Sequence, residues 1–131
     1  MSTVSLIAVI LLIIGNLFYG YRCLLGTKGM IDQYGFGDAG AFPIKLTGSF
    51  VTALGVVLAM LLATDITGSW EIFVFGFIQA VLLTIVGYQT VNSHWAEVEG
   101  VKSTAEAYIA PAIFAVLNGF VLFTASDILY A

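Results

Sequence analysis

The chain is 131 residues long, 60% hydrophobic and 9% charged, with a formal net charge of −4 and a mean hydropathy of +1.05. That balance excludes an ordinary soluble domain, and four Lys and Arg against eight Asp and Glu leave no basic patch for nucleic acid. The single cysteine, Cys23, excludes an internal disulfide and a cysteine metal cluster, and reads as a small reduced residue.

Four apolar runs carry the excess, at about 4–21, 42–63, 70–91 and 108–129. Each approaches the ~20 residues a helix needs to cross a hydrocarbon core about 30 Å thick. Backbone groups in lipid must be satisfied within their own segment, so the runs are predicted helical. The expectation is an all-α, integral membrane four-helix bundle forming one transmembrane domain over 1–131, without repeats or a separate soluble domain.

The first run, within "MSTVSLIAVILLIIGNLFYGY", has no basic residue before it and no small-residue cleavage site after it. It is expected to be a retained span with its N-terminus outside. Arg22, Lys28 and Lys45 lie in or beside the first loop, Lys102 lies in the third, and "TDITGSWE" and both termini carry no Lys or Arg. By the positive-inside rule, loops one and three are expected in the cytoplasm and both termini outside, in a membrane of the bacterial inner (plasma) type. Tyr19, Tyr21 and Trp95 are placed at the cytoplasmic water boundary, Trp70 and Tyr130 at the outer one.

The first loop, 22–41, is long for a helical hairpin and mixes Leu24, Leu25, Met30, Ile31, Tyr34 and Phe36 with polar residues and glycines. It is predicted to lie as an amphipathic turn at headgroup level. Within it, "YGFGDAG" spells the G-x-G-x-x-G of dinucleotide sites, but that fingerprint works only between a strand and a helix. No nucleotide is expected. Gly35, Gly37 and Gly40 are read instead as hinges that reverse the chain with positive φ before Pro43 starts the second span. The succession "GNLFYGYRCLLG", "MIDQYGFG" and "KLTGSFVTALGVVLAML" resembles, in the organisation of this first half, the small four-helix membrane proteins of the DoxX-like kind. The resemblance implies the four-helix architecture and transfers no residue-specific motif, because that family has no uniform activity.

The third span is predicted to continue through "TVNSHWAEVEG" to Gly100, and the fourth to begin at "STAE", where Ser103 and Glu106 have capping-box spacing. Pro111 is expected to bend the fourth helix. His94 and Glu97 share a helical spacing suited to two metal ligands, but without further ligands they read as an exposed polar turn. Ionisable residues are confined to span ends, Lys45 at one and Asp127 at the other, and the glutamate of small multidrug exporters is missing from the first span.

The polar groups that remain inside are uncharged: Asn16, Thr47, Thr52, Gln79, Thr84, Asn118 and Thr124, of which the amides Asn16, Gln79 and Asn118 are the candidate intramembrane contacts. Gln79 and Asn118 fall at similar depth on adjacent spans and are expected to pair. Small residues at helical spacing, Gly55 and Ala59, Gly76 and Ala80, Ala115 and Gly119, are the candidate helix-packing faces.

No nucleophile–base pair, carboxylate dyad, metal cluster or phosphate loop is present in the sequence, so no enzyme and no cofactor are expected. The reading it favours is a small accessory or structural subunit of a larger membrane complex, packed against lipids, other membrane subunits or a second copy. The alternative is a small carrier or channel for a neutral or weakly polar solute, using Asn16, Gln79 and Asn118. A water-accessible cavity around those amides favours the carrier; a dry bundle with one broad apolar face favours the subunit.

Overall fold

Long runs without Gly-Pro breaks become long helices. The computed structural model describes residues 1–131, and all its regular elements are helical: α1 (Thr3–Leu24), α2 (Thr27–Tyr34), α3 (Ala41–Ala63), α4 (Trp70–Val91), α5 (Glu106–Thr124) and α6 (Ser126–Leu129). Four of them, α1, α3, α4 and α5, are long and apolar enough to cross a membrane. Their outward faces carry large apolar side chains such as Phe50, Val116 and Phe123, as lipid contact requires.

The four spans form an open arc. α1 packs along α3, α4 packs along α5, and the two pairs meet through α1 and α5; α3 and α4 scarcely touch although one short loop joins them. Glycines set the close crossings. A Cβ at Gly20 would sit 2.0 Å from Thr52 Oγ1, one at Gly48 2.6 Å from Cys23 Cβ, and one at Gly55 3.0 Å from Leu17. On the other pair, a Cβ at Gly76 would meet Asn118 at 2.7 Å and one at Gly119 would meet Phe77 at 3.2 Å. Ala80 and Ala115 are buried, whereas Ala59 is half-buried. These small faces serve contacts within the chain, with Gly20 and Gly48 added to those the sequence singled out.

One end of the arc is closed. Ala8, Val9, Leu12, Leu58, Ile66, Phe73, Val121, Ala125 and Leu129 form its core. The loop after α3 folds inward to supply Ile66, shaped by Asp65, whose carboxylate accepts the Thr67 N–H at 2.9 Å. Gly68 N–H donates to Ile128 O at 3.1 Å, tying this loop to α6. Buried Ser5 shares a hydroxyl hydrogen bond with Thr124 at 2.8 Å, and Thr124 donates onward to Phe120 O at 2.8 Å.

Several sequence expectations need correction. α4 ends at Val91, where Asn92 and Ser93 turn their side chains onto the carbonyls of Tyr88 and Thr90; local bonds of this kind compete with helix continuation. His94–Glu97 is a separate short turn. α5 begins at Glu106 without a side-chain cap, so Ser103 and Glu106 make no capping box; the carboxylate is engaged elsewhere. The fourth span stops at Thr124, and 126–129 is a distinct turn. In the first loop the amphipathic element is a genuine helix, α2, which buries Thr27 and Ile31 against Cys23 and Ile44. Gly35 and Gly37 have φ of 68° and 72°, as a reversal requires, but Gly40 is right-handed at φ −75° because it already begins the turn into α3.

Candidate functional site

The open end of the arc encloses a cavity of about 590 Å³, within the range of small-molecule sites. All four spans contribute one helical stripe each. α1 presents Asn16, Tyr19 and Cys23; α5 presents Ala107, Pro111, Phe114 and Asn118; α3 presents Thr47, Val51 and Leu54; α4 presents Gln79, Leu83, Val86 and Thr90. Spacings of three and four keep each set on one face. The α3 and α4 stripes flank the cavity from opposite sides without packing together, and Leu83 and Val86 are half exposed. The cavity is therefore a slot, open sideways between α3 and α4.

Its floor is uncharged and polar. Buried Asn16 donates one amide N–H to Leu12 O at 2.8 Å, and buried Asn118 donates one to Phe114 O at 2.9 Å. Each is turned back on its own helix, makes no other hydrogen bond and borders the slot. Gln79 lines the same slot and makes no hydrogen bond. The expected Gln79–Asn118 pair is absent: Gly76 lets the Asn118 amide lie against α4, while Gln79, three residues further along, borders the slot with its side chain exposed. An amide in apolar surroundings costs free energy until it finds a partner. The three amides share one cavity with bonding capacity left over.

Its roof is built where the first loop meets the third. Glu106, at the start of α5, accepts from Tyr34 OH at 2.8 Å and Tyr19 OH at 2.9 Å, with Arg22 Nη1 at 3.4 Å. Arg22 also donates to Gln33 Oε1. Burial, together with the bond to the Glu106 carboxylate, pushes the Tyr34 hydroxyl above its ordinary pKa. Lys102 N–H donates to Tyr34 O at 2.9 Å, and a Cβ at Gly35 would fall 1.6 Å from Gly100 O, so the two loops touch backbone to backbone.

Sequence reasoning missed this cluster, having assigned Tyr19 to the water boundary and Glu106 to a cap. The available signal was the lone acid at the head of an apolar span, opposite an arginine at the tail of another. No family model, curated relative or solved structure matches the chain. Function must be argued from the slot.

His94 stacks on Trp95, ring centroids 4.6 Å apart, and no group of metal-ligating side chains forms around it. "YGFGDAG" joins α2 to α3, with no strand before it. Trp70 and Tyr130 do lie together, with centroids 5.7 Å apart, at the closed end.

Proposed function

We propose that the chain is a small membrane carrier that binds one neutral or weakly polar solute in the slot. The observation that carries this reading is a cavity of about 590 Å³, bordered by all four spans, whose floor leaves Asn16, Gln79 and Asn118 with hydrogen-bonding capacity unspent. Carrier sites characteristically lie near the middle of the bilayer among interrupted or loosely packed spans. Uncharged amides match an uncharged solute, because a charge at that depth would need a counter-charge the floor does not offer. The accessory-subunit expectation rests on the apolar exterior, which lipid covers as readily as another protein.

In this reading loops one and three face the cytoplasm of a plasma-type membrane, since every Lys and Arg sits at that end. The chain performs no covalent chemistry and holds no cofactor.

The test uses Trp95, which lines the slot and becomes the sole tryptophan after Trp70→Phe. Titrating the purified protein with neutral organic solutes is expected to change Trp95 emission saturably and to raise the melting temperature. Ala110→Phe, which fills the slot, should abolish both responses in a protein that still melts cooperatively. Absence of a saturable response across polar, aromatic and aliphatic neutral solutes would refute the reading.

A further inference from the structure

The direction in which the slot opens identifies where its solute comes from. We infer that the slot takes an uncharged amphiphile dissolved in the bilayer, admitted sideways between α3 and α4, with its polar group on the Asn16–Gln79–Asn118 floor. This rests on the carrier reading and adds the source and class of the solute.

Three sides are bounded by packed or bonded groups, each by different means. The end bearing the loop after α3 is filled by the core around Phe73 and Leu129. The opposite end is roofed by the Glu106 cluster and by the backbone contact of Tyr34 with Lys102. Behind the slot, α1 meets α5, where Gly15 lies so close to Phe114 that a Cβ would sit 2.6 Å from its ring. On the fourth side, α3 and α4 stand apart and face each other with apolar stripes, Val51 and Leu54 against Leu83 and Val86. In a bilayer that gap looks onto acyl chains, because both helices are of spanning length. A hydrophilic solute approaching from this side would first have to cross hydrocarbon.

The floor then decides the head group. Its three side chains are carboxamides, which both donate and accept, so an alcohol, amide or carbonyl is satisfied there. An ionic head is not. Glu106 and Lys102, the charged residues bordering the slot, stand at its roof, Glu106 already paired with Arg22 and about 18 Å from Asn118 along α5 at about 1.5 Å per residue. Gln79 is the residue to alter, because it makes no hydrogen bond within the protein and its change leaves packing intact.

The experiment places the Trp70→Phe protein in phosphatidylcholine nanodiscs and titrates dodecanol, dodecanoate and dodecylammonium, reading Trp95 emission. Dodecanol should bind more tightly than either charged homologue by about tenfold or more, since a charge at mid-bilayer is costly. Gln79→Glu should reverse the order in favour of dodecylammonium. For the route, Thr47→Cys and Thr90→Cys on a Cys23→Ser background, bridged across the gap by a bifunctional maleimide, should slow dodecanol association about tenfold or more. Equal affinities for the three homologues, or an association rate indifferent to the bridge, would overturn the inference. Saturable binding of glycerol or urea with none of dodecanol would leave the carrier reading standing and remove this one. No saturable binding of any solute would remove both.

Discussion

The two ends of this molecule are made from the same residue types and behave differently. At one end Leu12, Leu58, Phe73, Val121 and Leu129 are almost wholly buried and interlocked. At the other, Val51, Leu83 and Val86 are no less apolar, yet they stand along the walls of a slot. In water such walls would collapse to shed exposed surface. In a bilayer there is no such drive, because lipid tails satisfy a leucine as well as another leucine does. Complementary shape decides instead. The closed end has it, through Ile66 folded in from the loop and through alanines facing large side chains. The open end has it only within each helix pair, at Gly20, Gly48 and Gly87, and α3 and α4 do not close on each other.

This comparison can be broken, most severely by Phe73→Ala, which removes the largest wholly buried side chain of the closed end. It should destabilise the protein by roughly 3 kcal/mol or more, measured by denaturant titration in detergent. Gly20→Val should cost about 1–3 kcal/mol, because the new side chain collides with Thr52 where α1 crosses α3. The same titration reads it, and Thr52→Ala in the same chain should restore part of the loss.

The roof titrates. The Tyr34 pKa is raised in the folded state, so its contribution is complete below the ordinary tyrosine pKa of about 10 and is lost as pH rises through the folded value. Tyr19 shares the Glu106 carboxylate, so comparison with Tyr34→Phe isolates the part of the loss that belongs to Tyr34. Stability measured between pH 9 and 12 should fall by about 1 kcal/mol more in the native chain than in Tyr34→Phe. The smallest effect sharpens the comparison: Leu83→Ala, on the slot wall, should stay within about 0.5 kcal/mol, although it removes an apolar side chain of ordinary core type. A cost near that of Phe73→Ala would mean that the slot closes in the membrane.

The spans were legible because periodicity is irrelevant to them: total apolarity and length suffice, and all four appear within a few residues of where the runs place them. The hinges at Gly35 and Gly37 were legible through the glycines that bear them, while Gly40 shows that a glycine also occurs where another residue's conformation would serve. The slot was half legible. Asn16, Gln79 and Asn118 stand out as polar residues in hydrocarbon, and all three line it. Their arrangement was not readable, since Gln79 and Asn118 at equal depth look like partners until the rotation of α4 about its axis is known. Glu106 escaped for a related reason. A local motif, Ser103 with Glu106, competed with contacts to Tyr19 and Tyr34 more than seventy residues away in sequence, and only the long-range arrangement decides between them.

Gly87 faces α5 at the edge of the slot, and a Cβ there would come within 2.2 Å of the Ala107 carbonyl oxygen. That oxygen belongs to the residue four before Pro111, which has no N–H to offer it. A missing proton on one helix and a missing methyl on the next thus fix how closely α4 leans on α5. Because α4 is also a wall of the slot, this contact helps set its aperture. Variation at positions 87 and 111, which both border the slot, can retune its width through the backbone as well as through what a solute touches.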